Sequence, residues 1–138
     1  MAMTFTLDNG VDGNGVPCSI RKLTCDWTSD GSGNASGTSP KIVGTIIKGV
    51  TDPGATAPTD DYDITITDAE GLDVLAVCQS GLSNRDTANS EQVYFLVLDA
   101  AGTPLTQSVH PVVCDQLTVT VANAGDTKSG QLILYYRQ

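Results

Sequence analysis

Apolar and hydroxyl residues alternate strictly through Leu117-Thr118-Val119-Thr120-Val121, and after the loop Ala122 to Gly130 an apolar run returns in Gln131-Leu132-Ile133-Leu134-Tyr135-Tyr136-Arg137. A repeat of two sends alternate side chains to opposite faces of an extended chain, which gives a strand one buried and one wet face and does not fit the repeat of a helix. Gly, Asn and Asp between the two runs supply the reversal, so this segment is expected to form a β-hairpin. The same grammar recurs in Tyr62-Asp63-Ile64-Thr65-Ile66-Thr67, closed by Asp68-Ala69-Glu70-Gly71, and in Val93-Tyr94-Phe95-Leu96-Val97-Leu98, closed by Asp99-Ala100-Ala101-Gly102. The two Asp-Ala-x-Gly turns look alike, although no longer internal repeat is evident.

Other segments follow the pattern. Ser19 to Thr28 alternates Leu23, Cys25 and Trp27 against Lys22, Thr24 and Asp26, which makes the single tryptophan a core anchor. Lys41 to Val50 carries apolar residues on both faces, with Gly44 and Gly49 suggesting a bulge or a close approach. Leu72 to Gln79 fits a buried strand or a short helix, and the turn before it favours the strand. Ser29 to Pro40 and Ser80 to Ser90 read as loops, and Thr51 to Asp61, with two prolines, as a connection. Gly102 to Cys114 holds two more prolines, which confine it to an edge strand or a connection. About eight strands with closely spaced turns predict an all-β, two-sheet antiparallel sandwich and no long helix. Residues 1–17 are expected to be a flexible N-terminal arm holding one short strand at Thr4 to Leu7, and residues 18–138 a single sandwich domain.

The chain has 138 residues, enough for one domain with a real core. Its formal charge of −9, from 16 acidic and 7 basic residues, argues against nucleic acid as a partner, because phosphate binding needs clustered Lys and Arg. It suits solubility and docking onto a basic patch of another protein. No apolar run reaches the roughly 18 to 20 residues that span a bilayer, and the first residues lack the features of a secretory signal, so no membrane partner and a cytoplasmic site of folding are expected. Cys18, Cys25, Cys78 and Cys114 show no C-x-x-C spacing; core packing accounts for Cys25 and Cys78, and a Cys18–Cys25 disulfide would need an oxidising compartment.

Catalytic chemistry lacks its usual constellations. His110 is the sole histidine, stands before Pro111, and has no G-x-S-x-G elbow to serve. Asp60, Asp61 and Asp63, then Asp68, Glu70 and Asp73, are acidic clusters of the kind that hold calcium or cleave glycosides, but the second departs from the EF-hand pattern, and solvated turn carboxylates explain both. The Gly-rich stretches have no following Lys-Ser/Thr to cradle phosphate. The expectation is therefore not an enzyme, with no catalytic residue, no metal and no cofactor: a binding or structural module.

Three segments then carry a resemblance: Pro58 to Leu75 with its Tyr-Asp-Ile-Thr-Ile-Thr-Asp-Ala-Glu-Gly core, Ser83-Asn84-Arg85-Asp86, and Leu117 to Gly130. Over roughly residues 55–137 the sequence resembles the small virion proteins of tailed bacteriophages, and among them the cement (decoration) proteins of phage heads. The resemblance implies a jelly-roll sandwich on the outer surface of the virion, clamping neighbouring subunits of the major capsid protein as a homodimer at local two-fold positions, with no contact to the packaged DNA. For such a role, the arm with Thr4, Phe5, Thr6 and Leu7 is expected to add a strand to a neighbour's sheet through main-chain hydrogen bonds. Arg21, Lys22, Arg85 and Arg137 are expected to supply ion pairs, although solvated surface charge accounts for each equally well. The prolines between Pro104 and Pro111 would block pairing along one edge. Two other readings stay open: a phage tail or adaptor protein that forms rings, and a carbohydrate- or receptor-binding module using Trp27, Tyr62, Tyr94, Tyr135 or Tyr136 as an aromatic platform.

Overall fold

The structure, a computed structural model, describes residues 1–78, 80–105 and 109–138. Ten strands lie among them: β1 (Ala2–Asp8), β2 (Ile20–Thr28), β3 (Ala35–Thr38), β4 (Ile42–Pro53), β5 (Tyr62–Thr67), β6 (Leu82–Arg85), β7 (Glu91–Tyr94), β8 (Val112–Asp115), β9 (Thr118–Ala122) and β10 (Ser129–Arg137). The described residues contain no helix.

The strands form two antiparallel sheets. The larger runs β1-β2-β10-β4-β7, with β8 on the same flank of β4 as β7, and the smaller runs β3-β9-β5-β6. This is the strand order of a jelly roll. Its eight positions are filled by β2, β10, β4 and the pair β7 and β8 in one sheet, and by β3, β9, β5 and β6 in the other; β1 is added outside β2. The expected hairpin of the C-terminal third is thus not a paired ribbon. β9 and β10 belong to opposite sheets, because the loop between them is long enough to cross the sandwich.

Alternation explains the layering. Leu23, Cys25 and Trp27 of β2 and Leu132, Leu134 and Tyr136 of β10 face Ile64 and Ile66 of β5 and Val119 and Val121 of β9, all buried. Removing that apolar surface from water is the main favourable contribution to the fold, at roughly 25 cal/mol per Å². Gly49 lets the Phe95 ring approach the β4 backbone, and Gly44, at φ 147°, lies against the main chain of Arg137. Between them the register with β10 shifts at Tyr135/Tyr136, a bulge that resets which face Lys48 occupies.

Several expectations need correction. Residues 2–8 are not a detached arm: β1 pairs with β2 from Ala2↔Thr28 to Asp8↔Lys22, because Met3, Phe5 and Leu7 alternate and pack against the core. Two strands lie in segments read as loops, β3 and β6. Both are short and poor in apolar alternation, so their place comes from pairing with β9 and β5. Leu72 to Cys78 is not a strand. It makes isolated bridges at Asp73 and Cys78 around a turn that the Asp73 carboxylate fixes by accepting the Leu75 N–H at 2.9 Å. Gln79, and residues 106–108 of the proline-bearing segment, lie outside the described residues.

The likeness of the Asp-Ala-x-Gly turns extends to four loops. At Asp12, Asp30, Asp68 and Asp99 the backbone N–H donates to the carbonyl four residues on, and the glycine three residues on donates back to the Asp carbonyl, all at 2.8 to 3.1 Å. Each Asp side chain also accepts the N–H of residue i+4, at 2.8 to 3.0 Å. Gly15, Gly33, Gly71 and Gly102 close these turns at positive φ, as a three-residue reversal with a glycine bulge requires. These acidic residues are therefore occupied in turn geometry.

Candidate interaction surface

A sandwich can meet a partner through sheet edges or open faces, and the edges here are unequal. β7 and β8 are four residues each, and between them Pro111 occupies the flank of β4, its carbonyl accepting the Ile46 N–H. β3 is equally short, and Met3 of β1 packs over its Gly37. β6 carries Asn84 at φ 54° and an irregular register with β5. β1 differs: seven residues, no proline, glycine or lysine, and a regular register with β2 that leaves its outward side without a strand among the described residues. Asp8 at its end is its one charged residue, and the rest of the strand carries none of the residues that usually blunt an edge.

The outward face of the larger sheet is the second feature. Its side chains form rows across the strands. One runs Thr4, Asp26, Gln131, Asp52; the next but one runs Asp8, Lys22, Tyr135, Lys48, Tyr94; beyond it Ile20, Arg137, Thr45 and Val112 follow. One end of the face is thus acidic and the other cationic. At the acidic end Gln131 donates to Asp26 at 2.7 Å, Ser90 donates to Asp52 at 2.7 Å, and a cleft of about 370 Å³ lies between them. At the cationic end the Lys48 ammonium stands 4.7 Å from the Tyr135 ring centroid and 5.7 Å from that of Tyr94, within cation–π range of both.

The residues singled out in the sequence fall in three places. Thr4 and Thr6 project from β1 on the outward face, whereas Phe5 and Leu7 turn inward against the core, so a partner at this edge would meet their backbone. Lys22 and Arg137 come together at the cationic end. Arg21 points the other way, beside Tyr136 at the end of the sandwich, with Nη1 3.5 Å from Asn9 Oδ1. Arg85 lies on the other sheet and is used internally: it pairs with Glu91 at 3.5 Å and donates to the Ser83 carbonyl at 2.7 and 3.1 Å. Lys48, Tyr94 and Tyr135 were not singled out together. Their shared face depends on the bulge in β4, which Gly44 and Gly49 signal in the sequence without fixing its position.

The other candidates are dispersed. Trp27, Tyr62 and Tyr136 are buried, which leaves Tyr94 and Tyr135 as the exposed or half-buried aromatics of the supposed platform. Nδ1 of His110 lies 2.7 Å from the Phe95 carbonyl, which holds the ring against the backbone. Asp63 accepts from the Asn84 N–H and the Asn123 side chain, tying the β5 end to two neighbouring segments. The cysteines are free: Cys18 and Cys114 are exposed, Cys25 and Cys78 buried. Burial, reinforced by the Asp26 charge, pushes the Cys25 thiol up to about 12.

No family model and no curated protein matches the chain. Among solved structures it is similar to a chain in a structure of infectious bursal disease virus, Gx strain, at 13% identity and a TM-score of 0.26; the match covers 93% of this chain and 35% of that one.

Proposed function

We propose that this chain is a structural protein of a virion that binds the outside of a tailed-phage head and cements neighbouring subunits of the major capsid protein, acting as a homodimer without catalysis. The resemblance over residues 55–137 suggests the role, and the observation that carries it here is the open edge of β1. A seven-residue edge with a charge only at its end, beside an amphipathic sheet face, is suited to lasting contact with other protein surfaces. Because β1 is already paired with β2, its part is to receive a neighbour's strand, not to leave as one.

The mechanism is linkage. A subunit that bridges adjacent capsomers only in the expanded lattice stabilises that lattice by mass action, and many modest contacts sum to a large resistance to internal pressure. The acidic balance of the chain fits a position outside the shell, away from the packaged DNA. The test mixes the purified protein with expanded, undecorated capsids and follows co-sedimentation and capsid melting. Binding with a raised melting temperature is expected; neither binding nor a shift would overturn the reading.

A further inference from the structure

Lys22, Lys48 and Arg137 are three of only seven basic residues in a chain of net charge −9, and they converge on one end of one sheet face. None is neutralised by an ion pair among the described residues, where the one salt bridge is Arg85–Glu91. Asp8 stands opposite Lys22 in the β1–β2 register, yet its carboxylate is turned to the Gly10 N–H, which it accepts at 2.9 Å. Lys48 is held by two tyrosine rings and by the Gln92 side-chain oxygen at 3.4 Å, contacts that restrain an ammonium without cancelling its charge. A cation fixed in advance loses less side-chain entropy when a carboxylate arrives.

The surroundings match the composition of a binding patch, with tyrosine and arginine among exposed apolar residues. Val112 is 78% and Tyr94 52% exposed, and a cleft of about 220 Å³ opens beside Lys22 and Tyr135, with Arg21 and Asp8 also in its lining, so that the cations outnumber the one carboxylate there. The overall acidity of the chain points to a basic partner; this end of this face is complementary to the opposite charge.

We infer that the cationic end of the larger sheet's outward face docks an acidic surface segment of the shell protein, its carboxylates set among Lys22, Lys48 and Arg137. The inference rests on the cement reading above and adds to the β1 edge a second contact surface for that binding. A polyphosphate does not fit, because Asp26 and Asp52 at the other end of the same face repel it and three cations release few counterions. A second copy of this chain, whose Asp26 and Asp52 lie at the far end of the same face, is the competing occupant, and the self-association arm of the test separates it from the shell protein.

The test compares Lys22→Glu and Lys48→Glu with Lys128→Glu, which makes the same charge change in the loop before β10. Capsid affinity is expected to fall about tenfold or more for the first two and to stay within about twofold for the third. If the unaltered protein binds capsids and all three variants bind alike, the inference fails while the cement reading stands; if the unaltered protein does not bind, both fall. Loss of self-association in free Lys48→Glu, with capsid binding retained, would assign the face to a second copy and overturn the inference. A second measurement leaves the charges alone: in a Cys18→Ser background, Cys114, exposed on this face opposite Val43, should be shielded from alkylation on decorated capsids. Alkylation at the rate of the free protein would exclude this face as the docking surface.

Discussion

The Trp27 indole occupies the space that a side chain on Gly130 would need: its Cε2 lies 2.8 Å from where a β-carbon of Gly130 would stand. The two residues are direct partners in the β2–β10 register, and the ring continues across the core to Tyr62, with centroids 5.5 Å apart. Here a missing side chain on one central strand makes room for the largest side chain of its neighbour.

Gly130→Ala is therefore expected to destabilise the protein by about 1 to 3 kcal/mol, the range for overpacking a filled core. Urea unfolding followed by far-ultraviolet circular dichroism, which does not depend on the single tryptophan, measures it. In the background of Trp27→Phe the same substitution should cost less, since the smaller ring can yield. Equal costs in both backgrounds would show that the clash is not with Trp27.

The four Asp-x-x-Gly turns separate backbone strain from steric contact. A β-carbon on Gly71 or Gly102 meets nothing within 4 Å, whereas one on Gly33 comes within 2.8 Å of the Gly125 backbone nitrogen. All three have positive φ. Gly71→Ala and Gly102→Ala should each cost about 1 kcal/mol, the penalty of a left-handed conformation alone. Gly33→Ala should cost clearly more, because its loop packs against the one that holds Gly125. Thermal melts of the three variants give the comparison, and equal shifts would contradict it.

Alternation made β2, β5, β9 and β10 legible, along with the inward turn of Leu23, Cys25 and Trp27. β3 and β6 were hidden because Ala35-Ser36-Gly37-Thr38 and Leu82-Ser83-Asn84-Arg85 lack the pattern; their pairing partners decide them, and pairing is a long-range property. The same reason made β9 and β10 look like a hairpin when they belong to opposite sheets. At the candidate surface, Lys22 was legible from the parity of β2. The neighbourhood of Tyr135, Lys48 and Tyr94 was not, since it is assembled from three strands distant in sequence and a one-residue bulge. The four-fold use of one turn was half visible: the Asp-Ala-x-Gly pair could be matched by eye, while Asp12 and Asp30, with other residues between Asp and Gly, share its hydrogen bonds and not its letters.

Thiol chemistry should divide the cysteines two and two. Cys18 and Cys114 are exposed, while burial raises the thiols of Cys25 and Cys78, the former to about 12. The thiolate is the reactive form, so the buried pair should be inert in the native protein near neutral pH. Titration with a chromogenic disulfide reagent should find two fast thiols before unfolding and four after. Fast reaction of three or more in the folded state would mean that the core around Cys25 or Cys78 opens readily.

Acid should weaken the fold through two half-buried aspartates. The backbone N–H groups of Asn34 and Ser32 hold the Asp30 carboxyl below its ordinary value of 3.8, and those of Ala88 with the Asn89 side chain do the same for Asp86. A carboxyl whose value is lower in the folded chain than in the unfolded one stabilises fully above the unfolded value and loses that contribution as pH falls through the folded one. The melting temperature should accordingly lose the contribution of these two groups only as pH falls below the ordinary aspartate range. Asp30→Ala, lacking both the charge and the acceptor, should melt lower near neutral pH and show a shallower acid decline than the unaltered protein. Parallel curves for the two proteins would mean that the Asp30 turn plays no part in the acid response.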